Sequence, residues 1–412
     1  VYNALNDVAG KDYTLTAGTP GVTYLLSDTF TWEIEGDNWV QDPKQSYYGV
    51  AMPLIDDGIP LEVGAMEYIK TAEDLAGVSL LIVSYDSMKP MSEQVNEAIA
   101  DWVKQGGTLL YVGGNDAYTG VESEWWNEAG KGGSPYNNLL SHLGLTQVTA
   151  EPFEGLAMLE YAGPDSKASL FEGKTGLIND AFGYTASYGG EGFTTLLATD
   201  VGDPLAIEAQ VGEGHFLSVG LPGYYFASTQ QGAEWMKAIC EYAMQYTGYR
   251  YVSSPVMRVD RGNYTAVQAL SGDYTLEGTY VNLFDSTLPV VTNPVVEEGT
   301  CGLFCRVEAT DGTPTAAFFG GALQGEVVQT PERTTLSLTG PSNSVSSIRL
   351  LGGGKVPAQV SASIGGQEYA NILSQWNNAT NSLLVELSNS THQPVDIVID
   401  WTDGEKPDDP PR

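Results

Sequence analysis

Acidic and amide side chains fall directly after three apolar runs of this 412-residue chain. Asp28 follows Val22-Thr-Tyr-Leu-Leu26, and Tyr85 and Asp86 follow Val78-Ser-Leu-Leu-Ile-Val-Ser84. Asn115 and Asp116 follow Thr108-Leu-Leu-Tyr-Val112 and the pair Gly113-Gly114. Carboxylates so placed can act as general acid, base or nucleophile, and glycoside cleavage needs two of them about 5 to 10 Å apart. Rings crowd the same loops: Trp32, Trp39, Tyr47, Tyr48, Tyr118, Trp125 and Trp126. Sugars lay their C–H faces on such rings while carboxylates and amides bind the hydroxyls. The candidate ligand-binding residues are therefore Asp28, Trp32, Tyr85, Asp86, Asn115, Asp116, Trp125 and Trp126. A plainer role stands beside each: Trp125-Trp126 can anchor a long loop, and the acids can cap turns.

Cysteine-based acyl transfer needs a nucleophile on a tight turn after a strand, with a histidine and an acid near the end of the domain. The turn after Val112 reads Gly113-Gly114-Asn115-Asp116 and carries no cysteine. His215 lies inside an apolar run with no acid two residues on, and Cys240 lies in an apolar helical stretch. No catalytic residue is assigned. Cys301 and Cys305 can bridge only if their strand bends, because cysteines four apart on a straight strand lie too far apart. His142, His215 and His392 are scattered, which argues against zinc. Asp56-Asp57-Gly58 and Asp408-Asp409 are isolated pairs rather than a D-x-[DN]-x-[DN]-G loop, so calcium, which the acidity raises, is not assigned either. No metal and no cofactor is expected.

Fifty-two acidic residues against eighteen basic ones give a net charge of −34, which repels phosphate backbones and anionic lipid. Nucleic acid is excluded as a partner, and no run approaches the roughly 18 apolar residues of a membrane span. No signal peptide is visible, and an opening at Val1 rather than Met points to processing or cutting. The acidity suits an exported bacterial protein, so an extracellular or cell-surface location is expected.

The elements that must hold these residues follow from periodicity. The three apolar runs read as strands buried on both faces. Helices are predicted over Tyr47 to Asp57, Ser92 to Gln105, Tyr136 to Leu143 and Ala233 to Tyr246. A further strand is predicted over Pro60 to Val63. Val95, Ile99, Trp102 and Val103 form one helix stripe, with Ser92 as N-cap and Gly106-Gly107 as the stop. Alternation at this spacing predicts a parallel, doubly wound sheet. Residues 147–199 turn β-rich, and Ile207 to Val211 with His215 to Val219 read as a hairpin. From Val252 on, short strands separated by Gly, Asn, Asp and Pro predict all-β, sandwich-like modules, with a turn near Ile372 and Trp376 and Trp401 in the core. Asn263, Asn378 and Asn389 sit in N-x-[ST] sequons, relevant only to a eukaryotic source. No internal repeat is found.

Three stretches carry a resemblance: YYGVAMPLIDDGIPLEV (residues 47–63), LLIVSYDSMKPMSEQVNEAIADWVKQGGTLLYVGG (80–114) and VGEGHFLSVGLP (211–222). They resemble class I glutamine-amidotransferase-like domains attached to bacterial glycoside hydrolases, of the β-galactosidase trimerisation type. RGNYTAVQALSGDYTLEGTYVNLFDSTLPVV (261–291) resembles the β-module that follows such domains. The resemblance covers about two-thirds of the chain and implies a flavodoxin-like α/β domain that lacks the catalytic triad, followed by β-sandwich modules. It also implies an upstream catalytic barrel, of which residues 1–18 would be the last helix and its exit. The expected organisation is an α/β domain over 19–251, β-modules over 252–310 and 311–402, and a tail over 403–412.

The function so implied is a non-catalytic accessory region serving assembly and carbohydrate binding, with the upstream barrel or a homo-oligomer as partner. The alternatives are a glycosidase in its own right using Asp28, Asp86 or Asp116, and a surface carbohydrate-binding or adhesion protein.

Overall fold

A computed structural model of the chain describes residues 5, 8–31, 43–86, 88–113, 123–152, 154–179, 184–189, 192–308 and 312–406. It is mostly β, in several sheets, and divides into two units. One is Ala17–Ser254; the other combines Val1–Thr16 with Pro255–Arg412. No helix among the described residues is long and apolar enough to cross a membrane.

Strand β1 (Tyr13–Thr16) belongs to the second unit. In the first, β2 (Val22–Leu26), β3 (Glu62–Ala65), β4 (Leu80–Val83) and β5 (Thr108–Val112) are parallel and lie in the order β3-β2-β4-β5. β6 (Thr146–Pro152) and β9 (Tyr184–Gly189) pair as a separate two-stranded sheet. Strands β7 (Leu156–Tyr161), β8 (Leu177–Asn179), β10 (Phe193–Thr199), β11 (Pro204–Val211) and β12 (Gly214–Val219) complete the main sheet. β12 runs parallel to β5 and antiparallel to β11, so the predicted hairpin is welded into the sheet centre. The order then continues β11-β10-β7-β8, antiparallel throughout.

β4 and β5 are buried along their whole length, as strands covered on both faces must be. Helices α1 (Pro43–Asp56), α2 (Glu93–Lys104), α3 (Pro135–Leu143), α4 (Gly223–Ser228) and α5 (Gln230–Met244) supply the cover. α1, α4 and α5 pack on one another, and α2 packs on α3. In α2 the residues Val95, Ala98, Ile99 and Val103 are buried, the predicted stripe with Trp102 at its margin. α3 starts at Ser134, whose hydroxyl accepts from the Asn137 N–H, and stops at Gly144 in the left-handed region (φ 76°). α1 and α4 meet through glycine: a Cβ on Gly49 would overlap the Gly223 carbonyl oxygen.

The entry and exit of this unit are fastened together. Thr19 donates from its N–H to the Val252 carbonyl (3.0 Å) and from its hydroxyl to the Arg250 carbonyl (2.7 Å), and that hydroxyl accepts from Val252 N–H (2.8 Å).

The second unit is all-β. β1 pairs antiparallel with β13 (Val256–Arg261); the helix expected earlier in residues 1–18 lies mostly outside the described residues, of which Leu5 and Val8 are helical. The alternation Tyr-Thr-Leu-Thr, with β-branched residues on one side, fits a strand better than a helix. β13 continues to β14 (Tyr264–Ala269); β15 (Tyr274–Thr275) pairs with β18 (Val295–Val296), while β16 (Thr279–Asn282), β17 (Val290–Thr292) and β19 (Cys301–Arg306) complete a sheet β1-β13-β14-β19-β16-β17. β19 passes straight through Cys301 and Cys305, and the two do not form a disulfide.

Residues 315–402 form two antiparallel sheets that enclose Leu336, Leu338, Ile348, Leu350, Trp376, Leu383, Ile397, Ile399 and Trp401. Ile372, expected near a turn, instead opens the strand Ile372–Asn377. Its partner Ser382–Asn389 supplies the ladder that a lone apolar residue does not announce. Val281, Leu288, Cys305 and Leu384 share one apolar cluster, so the two expected β-modules are joined by a common seam.

Across this seam Arg349 is buried and donates to the carbonyls of Leu288 (2.8 Å) and Thr287 and to the Ser382 hydroxyl (3.3 Å). Burial pulls its guanidinium down to about 10, while the charges of Glu386 and Asp285 hold it up.

Candidate functional site

Ligands of open α/β sheets lodge beyond the carboxyl ends of the strands, where the strand order reverses. Here β2 leads through α1 to β3 on one flank, while β4 lies on the other. The exits of β2 and β4 therefore frame the candidate site.

β2 ends at Ser27, whose hydroxyl donates to Glu67 Oε1 (2.7 Å) and to the Lys89 carbonyl (2.8 Å). Glu67 stands at the exit of β3 and also accepts the Asp28 N–H (2.8 Å). Its other oxygen, Oε2, is buried and makes no hydrogen bond. Thr29 closes the ring by donating to the Lys89 carbonyl (3.1 Å) and accepting the Lys89 N–H (2.7 Å). Three successive exits are thus wired together, with Asp28 exposed at their rim.

Beyond β4, Asp86 is nearly buried at 9% exposure. Its carboxylate lies against the exit of β5: a Cβ at Gly113 would stand 2.9 Å from Asp86 Oδ1. Beneath it the buried Tyr24 phenol is pushed well above its ordinary range, first by burial and then by the Asp86 charge, and stays protonated. Tyr24 stacks on Tyr47 (5.6 Å), Phe30 meets Tyr47 edge-on (6.3 Å), and Tyr48 beside them is exposed. This aromatic wall belongs to α1 and the β2 exit.

Tyr85 points inward. Its ring is fully buried against Tyr111, and its hydroxyl donates to Asn96 Oδ1, so it supports the strand exit from within. Trp125 donates from Nε1 to the Pro90 carbonyl (2.9 Å), and Trp126 is buried against it edge-to-face (5.5 Å). This pair pins its loop to the β4 exit. Trp32, Trp39, Asn115, Asp116 and Tyr118 lie outside the described residues. Of the candidate set, then, Asp28 and Asp86 stand at neighbouring strand exits, and Trp125 reaches the same edge. Glu67 was missed: placing the strand at 60–63 puts its exit on Gly64, whereas β3 ends at Ala65 and delivers Glu67.

The remaining reactive groups lie elsewhere. His215 is paired with Thr108, the first residue of β5, and stacks on Tyr246 (3.8 Å). It is four strand residues from the β5 exit, about 13 Å along the sheet. Burial lowers its imidazole below the usual histidine value. Cys240 is enclosed by α5 packing, and burial pushes its thiol far above the range in which it could be a nucleophile.

No family model matches the chain, and no curated protein does. Among solved structures it is similar to a catalytic mutant of the GH42 β-galactosidase Gan42B from G. stearothermophilus, at 15% identity and TM-score 0.46, covering 71% of this chain and 41% of that one. It is also similar to the cold-adapted β-galactosidase from Rahnella sp. R3, at 16% identity and TM-score 0.43, covering 74% and 42%. A ThuA-like protein from Bacteroides uniformis aligns at 11% identity and TM-score 0.36, covering 55% of this chain and 93% of its own. The chain spans about two fifths of the length of the β-galactosidases it matches.

Proposed function

We propose that this chain is a non-catalytic accessory region of a bacterial, extracellular glycoside-hydrolase-like protein, serving assembly and carbohydrate binding. Its first unit is read as a doubly wound, amidotransferase-like domain whose chemistry has been replaced by a binding edge. The observation that carries this reading is the engagement of the exit groups with one another. Ser27, Thr29, Glu67 and the Lys89 backbone hold the loops in place. His215 sits at the opposite end of the sheet from the exits, and Cys240 is sealed in the core. Such an edge is a rigid platform on which the exposed rim carboxylate of Asp28 and the exposed ring of Tyr48 can meet sugar hydroxyls and C–H faces, with the nearly buried Asp86 beside them. Trp125, which reaches the same edge, is a further candidate contact.

The test is a glycan array and a panel of glycosidase substrates offered to the purified chain, with D28N and D86N beside it. Binding without turnover, weakened about tenfold or more by D86N, is the expected result. Turnover that D28N or D86N abolishes would replace this reading with a glycosidase using the strand-exit carboxylates. Sugar affinity retained in residues 252–402 alone would favour the adhesion reading.

A further inference from the structure

Away from the strand exits, the pair α2–α3 presents a set of groups that neither the sugar edge nor the core requires. Glu93 and Glu97 are one helical turn apart on α2 and share a face. α3 brings His142 to them, with Nε2 3.0 Å from Glu93 Oε1. One ligand atom from each residue lies within 4.8 Å of the others. Groups bound to one zinc-sized ion sit roughly 3.0 to 3.6 Å apart, so His142 and Glu93 already have that spacing. Glu97 is exposed and free to close the remainder by rotation.

Two further features point to a cation. The first is the support behind Glu93: its Oε1 accepts from Asn138 Nδ2 (3.0 Å), and Asn138 Oδ1 accepts from Asn96 Nδ2 (2.9 Å). Both asparagines are buried, at 2% and 0% exposure, and Asn96 in turn accepts from Tyr85. A buried polar chain therefore fixes the Glu93 carboxylate, as the outer partners of metal ligands do. The second is that the fold already sets one positive charge here. The Lys131 ammonium bonds Glu93 Oε2 and is also drawn by Glu97 and Glu128.

We propose that Glu93, Glu97 and His142 form a binding site for a first-row divalent transition ion of the zinc class, with Lys131 as the internal cation that occupies the charge position in the metal-free chain. One imidazole nitrogen with two carboxylates suits such ions, whereas calcium and magnesium favour all-oxygen sets. Binding exchanges one cation for another: Lys131 leaves Glu93, and the ion ties α2 to α3 directly. The proposal is independent of the sugar-binding reading.

Calorimetric titration of the EDTA-treated chain with zinc chloride, and with magnesium chloride as control, tests it. One saturable zinc per chain is expected, with little response to magnesium. H142A and E97Q should each weaken zinc binding about tenfold or more, the scale of losing a ligand or its support. K131M should strengthen it, because the competing ammonium is gone; a purely structural ion-pair cluster would instead show no gain on that substitution. Absence of saturable zinc binding, or binding unchanged by H142A in a variant that melts like the parent, overturns the proposal.

Discussion

Single residues set the geometry of both units by close approach. Gly113 is required because the Asp86 carboxylate lies where its side chain would be. Gly113→Ala should displace Asp86 and cost about 1 to 3 kcal/mol, read as a lowered midpoint in urea, together with a loss of any affinity that depends on Asp86. Arg349 shows the opposite device, a buried charge that orders backbone. It bonds the carbonyl of Leu288, whose φ of 47° is strained for a branched residue, and so over-determines that turn. Arg349→Met leaves two carbonyls without their donor, and a loss of about 3 kcal/mol is expected in chemical denaturation.

Asp285 caps the same turn by accepting the Thr287 N–H (2.8 Å) and hydroxyl (2.7 Å), and these bonds hold its carboxyl below the usual carboxylate value. A depressed carboxylate stabilises above its unfolded value and loses that effect as pH falls through the folded one. Asp285→Asn should therefore melt lower than the parent at neutral pH, by well under about 1 kcal/mol for so exposed a group. The gap should close as pH drops below about 3.8, the ordinary value.

At the scale of elements, what was legible depended on whether the signal was local. β5 was readable to the residue, and β4 to within a few, because continuous apolar runs bounded by glycine or polar turns have one reading. α1 begins four residues before its predicted start because Pro43, favoured at a first helical position, precedes any apolar stripe. β3, short and mostly exposed, slipped by two residues, and with it the site lost Glu67. The Tyr85 result is a limit of another kind. Strand-exit position identified the residue, but which face its ring takes is decided by Asn96 on a helix that comes later in the chain. Helix contact supplies one more expectation: Gly49→Ala should separate α1 from α4 and lower the melting temperature of the α/β unit, at a cost of about 1 to 3 kcal/mol.

At the scale of the whole molecule, the sequence pattern suggested modules in series, and the contacts describe an insertion. β1 belongs with β13, so the α/β unit Ala17–Ser254 interrupts the all-β unit. No periodicity could reveal this, since four exposed residues carry no record of a partner so distant in the chain.

That interruption makes β1 a reporter of its guest's integrity. While the α/β unit is folded, Thr19 keeps its two ends in register and β1 meets β13 across a short effective tether. Once the guest melts, the same meeting requires closing a random loop of roughly 240 residues, an entropic penalty on the order of 5 kcal/mol. Four ladder positions on a solvent-facing strand cannot offset that. The amides of Thr14 to Thr16 should exchange hydrogen in step with the α/β core rather than with the β13–β14 hairpin, so the host's outermost strand is peeled away by events in the segment it encloses.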